Sequence, residues 1–129
     1  MNSTLDLVGI ITADLKRSVD FYGLLGIDVP AVNGDEPHVE AVLPNGLRLA
    51  WDTVETIRGF DPDFRPSAGP GSVALAFKCH TPQEVDATYR RLTGAGYPGH
   101  KAPWDAFWGQ RYAVVHDPDG NTVDLFADS

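Results

Sequence analysis

Two tryptophans, a phenylalanine and a tyrosine fall within nine residues, Trp104 to Tyr112, in the stretch KAPWDAFWGQRYAVVHDPDG that runs from Lys101 to Gly120. Trp104, Phe107 and Trp108 are set among Gly, Pro, Asp and Gln, which predicts a loop. Loops run over the surface, so aromatic rings on one need a ligand or a second subunit to cover them. The chemistry on offer is stacking, worth roughly 0.5–1.5 kcal/mol beyond area burial. A flat ring system held between Trp108 and a second ring such as His38 would be bound without any covalent step. Trp108 is the first choice of stacking wall, Phe107 the next, Trp104 the third. Core filling accounts for Tyr112 or for one tryptophan, and dimer packing is the competing reading for the rest.

Other reactive side chains are sparse. The single cysteine, Cys79, leaves no internal disulfide and no Cys-rich zinc site. It stands in a strand-like run beside His80, and neighbours in a strand point to opposite faces, so that histidine is badly placed as its base. A small buried hydrophobe is the better reading of Cys79. The four histidines (38, 80, 100 and 116) show no HxxxH or HxH spacing. His116 abuts the turn signature Asp117-Pro118-Asp119-Gly120 and is expected to cap it or to bond locally.

A net charge of -8, from 10 basic and 18 acidic side chains, argues against nucleic acid and against an anionic membrane surface as partners. It favours cationic ligands only weakly. With 43% hydrophobic residues the 129-residue chain can fill a core, as one domain of two small modules. The start, MNSTLDLVGII, lacks the basic head and long apolar run of a signal peptide, and no stretch approaches membrane-spanning length. The expected location is the cytoplasm.

The elements that must position these residues repeat. LDLVGIIT (5–12) predicts a strand. Asp14 is the better N-cap for a helix carrying Leu15, Val19, Tyr22 and Leu25, ended by Gly26. Residues 27–37 read as turn or irregular edge. HVEAVLP (38–44) and LRLAWDT (47–53) flank Asn45-Gly46, a hairpin signal. Residues 54–70 read as one long connection carrying Phe60 and Phe64, both candidate lid residues or dimer contacts. The second half has a strand at 72–79, then a helix to about Gly94 opened by Thr81, Pro82 and Glu84. RYAVVHD (111–117) and NTVDLFA (121–127) form its closing hairpin. Ser18-Val19-Asp20 answers Glu84-Val85-Asp86, and Asn45-Gly46 answers Asp119-Gly120. Such a two-fold repeat implies two supersecondary units, neither able to bury its sheet alone.

Three segments carry a family resemblance: DLKRSVDFYGLLGI, TPQEVDATYRRLTGAGY and VVHDPDGNTVDLFA. The chain resembles the glyoxalase/bleomycin-resistance/extradiol-dioxygenase superfamily, also called vicinal oxygen chelate proteins. The resemblance implies an α+β fold of two paired βαβββ modules, about 1–66 and 67–129, whose curled sheets enclose a concave cavity. It also implies a homodimer. PHVEAVLPNGLRLAWDTVETIRGFDPDF and WGQRYAVVHDPDGNTVDLFA look most like the mitomycin-binding resistance proteins, which hold a planar drug without changing it. Enzymes of the superfamily hold a divalent metal at four strand positions. Motif offset lays these on Leu7, Ala50, Ala74 and Asp124. Leucine and alanine donate no lone pair, and one carboxylate cannot hold a catalytic metal, so neither metal nor cofactor is expected.

Strand alternation sorts the faces. Leu47, Leu49 and Trp51 share one side, expected to pack under a helix. Arg48, Ala50 and Asp52 share the other, expected to line the cavity with Leu7, Ala74, Thr122 and Asp124. His38 and Glu40 share a parity, and His38 is assigned to the cavity. The ligand-binding set is therefore His38, Arg48, Ala50, Asp52, Phe60, Trp104, Phe107, Trp108, Tyr112 and Asp124. The expected function is antibiotic resistance by sequestration of a planar aromatic or quinone-type natural product, without catalysis. The alternatives are a metal-dependent lyase, isomerase or dioxygenase, a carrier of a biosynthetic intermediate, and a metal-free enzyme using Asp52 or Asp124 as base.

Overall fold

The computed structural model describes residues 2–67 and 69–129. Contacts cluster in two units, Met1–Pro66 and Ser67–Ser129.

In the first unit, β1 (Leu7–Thr12) leads into α1 (Leu15–Leu24), followed by β2 (His38–Val42), β3 (Arg48–Thr53) and the short α2 (Val54–Arg58). The sheet order is β1-β3-β2, with β1 parallel and β2 antiparallel to β3. Asp14 caps α1, its carboxylate accepting from the Arg17 N–H at 3.1 Å. The β2–β3 turn is closed by Leu43 and Leu47, and Gly46 takes a φ of 89° there. Residues 27–37 form no helix or strand.

One face of this sheet is packed by α1. Ile10, Ala41, Leu49 and Trp51 are buried there with Leu15, Val19, Phe21 and Tyr22. Trp51 has no exposed surface and meets Tyr22 edge to face, with centroids 5.8 Å apart. The parity reading of Trp51 as core is correct. The 54–70 connection is not one loop, because Thr53 accepts from the Thr56 N–H and starts α2. Its signal was in the sequence: a threonine cap, an acidic second residue (Glu55), then Arg58 and Gly59 at the end.

The second unit is a complete βαβββ module: β4 (Ala74–Lys78), α3 (Pro82–Gly94), β5 (Gly99–Ala106), β6 (Gln110–His116) and β7 (Thr122–Asp128). The order is β4-β7-β6-β5, with β4 parallel to β7 and the rest antiparallel. Thr81 caps α3 as expected. The Glu84 carboxylate reaches the His80 N–H, one residue before the cap. Val85 and Leu92 of α3 are buried with Ala113, Val115, Val123, Leu125 and Ala127. Gly99 abuts the Tyr89 side chain, where a Cβ would come within 2.1 Å of the hydroxyl, so any larger residue there would have to displace that ring.

Trp104 therefore sits on a strand and not in a loop. In the sequence Pro103 and Gly99 argue against a strand here. β5 is an edge strand with register shifts on both sides of Lys101, and there a proline costs no ladder bond.

The β6–β7 turn is built on Asp117, which is 1% exposed. Its carboxylate accepts from the N–H of Asp119 at 2.9 Å, the N–H of Asn121 at 2.8 Å and the Asn121 side-chain amide at 2.8 Å. Asp117, and not His116, is thus the turn's cap; His116 stacks on His100 with centroids 4.7 Å apart. Asp117→Ala would strand three donors, each costing about 1–3 kcal/mol if left unmet. It is expected to lower stability by at least about 2 kcal/mol in denaturant unfolding. A loss within 0.5 kcal/mol would mean that water replaces the carboxylate.

Candidate functional site

In β6 and β7 the residues that alternate with the buried ones point away from α3. Gln110, Tyr112 and Val114 pair across the strands with Asp128, Phe126 and Asp124. Trp104 of β5 pairs with Tyr112. One face of the second sheet thus carries an aromatic cluster centred on Tyr112. Its ring stacks on Phe126 with centroids 6.0 Å apart and meets Trp104 at 5.6 Å and Trp108 at 5.4 Å, both edge to face. Trp108 also meets Trp104 at 6.1 Å and Phe107 at 5.1 Å.

Phe107 and Trp108 occupy the tight β5–β6 turn, which Gly109 makes possible with a φ of 87°. Phe107 is 96% exposed and Trp108 49%. The indole is nonetheless fixed. Its Nε1–H donates to the Gln110 side-chain Oε1 at 2.8 Å, the Gln110 Nε2 donates to Asp128 at 3.1 Å, and Asp128 pairs with Lys78 at 3.0 Å. Edge-on packing against Tyr112 and Trp104 together with this relay leaves the outer face of Trp108 presented in one orientation. On the other side of the sheet, Arg111 ties β6 to α3 through Asp86 at 3.0 Å.

The Tyr112 hydroxyl donates to Asp124 Oδ2 at 2.6 Å. Burial, and then that carboxylate, push the phenol up to about 12. It is a neutral donor over the whole physiological range. Lys101 lies over the Trp104 ring, its ammonium 4.6 Å from the centroid.

The polar face of the first sheet holds a different arrangement. His38 Nε2 bonds to Glu40 at 2.7 Å and Nδ1 to Asp52 at 2.6 Å. Arg48 joins Glu40 at 2.8 Å and Asp6 at 2.5 Å. Asp6, which sequence reasoning overlooked, ends the chain of charges. Donation to the carboxylates of Glu40 and then Asp52 raises the pKa of His38 above its ordinary value, and acceptance from His38 and then Arg48 lowers that of Glu40. Arg48 and Asp52 were expected to orient a ligand, but each is already engaged by a neighbour on its own sheet. Ala50 shares their parity yet has no exposed surface. Phe60 is 75% exposed beyond α2.

The four positions that the family resemblance assigns to a metal carry three hydrocarbon side chains, Leu7, Ala50 and Ala74, and the Asp124 carboxylate that accepts from Tyr112. That donor set does not fit a divalent ion, which needs several nitrogen or oxygen ligands. Among the described residues no group of three or more His, Cys, Asp or Glu is placed to hold one. His38 does not form such a group, since its two nitrogens address different carboxylates. Burial pushes the Cys79 thiol up, away from the thiolate a nucleophile requires. Among the described residues no helix is long and apolar enough to cross a membrane.

The comparisons with known proteins fit this architecture. The sequence model of the Glyoxalase/Bleomycin resistance protein/Dioxygenase superfamily matches residues 4–125. No curated protein matches the sequence. Among solved structures, a glyoxalase-related enzyme from Fulvimarina pelagi is 25% identical with a TM-score of 0.80, over 99% of this chain and 89% of that one. A glyoxalase/bleomycin resistance protein/dioxygenase from Nocardioides is 26% identical with a TM-score of 0.75, over 99% and 85%. A family enzyme from Burkholderia phytofirmans PsJN, 20% identical with a TM-score of 0.83 over 98% and 100%, shares the fold.

Two titrations check this geometry. The Tyr112 phenol ionises later than an ordinary tyrosine, so its contribution to stability is full below about pH 10 and lost as pH rises toward 12. Unfolding followed across that window should show a shallower loss for Tyr112→Phe than for the parent; equal slopes would contradict the buried phenol. For His38 the raised value makes its contribution full below pH 6.5 and lost as pH rises through the folded value. Its ring resonances in NMR should titrate above 6.5, and Glu40→Gln should bring the midpoint down.

Proposed function

This chain belongs to the glyoxalase/bleomycin resistance protein/dioxygenase superfamily, and we propose that within it the protein is a binder: it holds a planar aromatic or quinone-type natural product and does not transform it. The observation that carries this reading is the pair Phe107 and Trp108. Two large rings stand exposed on a turn, yet one is locked by a hydrogen-bond relay to Lys78 and by edge contacts with Trp104 and Tyr112. A solvent-exposed ring held in one orientation loses little entropy when a flat ligand stacks on it. The neutral Tyr112 hydroxyl and the Asp124 carboxylate supply polar contacts at the edge of the same cluster.

Sequestration requires affinity and no turnover, which agrees with the hydrocarbon side chains at Leu7, Ala50 and Ala74. Resistance would follow from lowering the free concentration of the drug. A homodimer with two bound ligands belongs to the same proposal.

Native mass spectrometry against mitomycin-like quinones, anthraquinone-type compounds and bleomycin-type glycopeptides tests it. The expected species is a dimer carrying two ligands of unchanged mass. Trp108→Ala is expected to weaken binding roughly tenfold or more while the far-ultraviolet circular dichroism stays as in the parent. A ligand recovered with altered mass would instead make the protein an enzyme. Affinity indifferent to Trp108→Ala would move the site elsewhere.

A further inference from the structure

Among the described residues Asp124, in the middle of the aromatic face, has no cationic partner. Its cross-strand neighbours are Ala76 and Val114, its same-strand neighbours on that face are Thr122 and Phe126, and beyond Val114's strand position stands Tyr112. Among the described residues its sole hydrogen-bond donor is the Tyr112 hydroxyl, which satisfies Oδ2 and leaves Oδ1 for another group. The cations on the same face are otherwise committed. Lys78 pairs with Asp128 at 3.0 Å, and the Lys101 ammonium rests on the Trp104 ring. The remaining basic side chains there, His100 and His116, are stacked on each other. Lys101 already seats its ammonium on one face of Trp104, so the ring face open to a further cation is that of Trp108.

We infer that the aromatic face selects a planar ligand that bears a positive charge, an aromatic ring carrying an ammonium or amidinium group, with the ring on Trp108 and the cation directed to Asp124 Oδ1 and the π faces of the cluster. The inference rests on the binding role proposed above and names the ligand class that the same site prefers. Three features act in one direction. A half-buried carboxylate with a single neutral donor gains most from a cation. Trp and Tyr faces attract that cation where a neutral quinone gains stacking alone. The net charge of -8 raises the local concentration of cations, although at physiological salt this reaches only about 8 Å.

Isothermal calorimetry at pH 7 with three flat probes tests it: 9-aminoacridine, which is cationic, acridine, its neutral counterpart of nearly the same shape, and 1,4-naphthoquinone. 9-Aminoacridine is expected to bind about tenfold more tightly than acridine. Asp124→Asn should abolish that preference and bring the two acridines to equal affinity. Asp28→Asn, an exposed carboxylate in the first unit, removes the same net charge and should leave the preference intact. Equal binding of both acridines, or naphthoquinone binding alone, overturns the charge preference and leaves the planar-binder reading standing. Loss of the preference in both variants alike would reduce it to general surface charge and overturn the assignment to Asp124. If none of the three binds, both readings fall together.

Discussion

Strand alternation in β6 and β7 is the constraint on which the rest of the second unit depends. A strand residue faces one side or the other, with no intermediate choice. Ala113, Val115, Val123, Leu125 and Ala127 are small or branched and close down against α3. The residues between them are thereby fixed on the opposite face, whatever their chemistry. Tyr112, Phe126, Asp124 and Gln110 stand there because their neighbours are committed to the core. The aromatic face is rigid for the same reason: to turn Tyr112 away from its cluster would turn Ala113 out of the core.

The register of this pairing is pinned at one end by Asp117. A one-residue slip would exchange the two faces of the hairpin, and the buried carboxylate, with three donors on Asp119 and Asn121, holds the turn against it. At the other end of β6 the pinning is aromatic and polar. Trp108, Gln110, Asp128 and Lys78 form a relay across β6, β7 and β4. The turn that bears the most exposed rings is therefore tied to three strands, and its rings can act as a prepared surface.

The two sheets spend their polar faces differently. On the first, His38, Glu40, Asp52, Arg48 and Asp6 are bonded to one another, and solvent screens such exposed pairs so that they add little stability individually. Their effect is local order: His38 and Glu40 on β2 are tied to Asp52 and Arg48 on β3. On the second sheet, charge and rings are left available. A set of candidate residues drawn from both halves thus separates into a self-satisfied network and an unsatisfied face.

The sequence alone carried the secondary structure wherever a local rule governs it. Asp14 and Thr81 cap helices because their side chains reach N–H groups three residues on. Asn45-Gly46 turns because glycine tolerates a positive φ. Trp51 is core because its strand parity matches Leu49. The fold family was legible in the repeat and in the closing hairpin for the same reason. What only the tertiary structure decided is who partners whom. β5 is a strand despite Pro103 because an edge needs fewer donors. His116 yields the turn to Asp117, since stacking on His100 depends on a strand distant in sequence. Arg48 and Asp52 are occupied because Glu40 and His38 arrive from β2 and Asp6 from the segment before β1. Propensity is a property of neighbours along the chain, whereas availability for a ligand is a property of neighbours across the sheet.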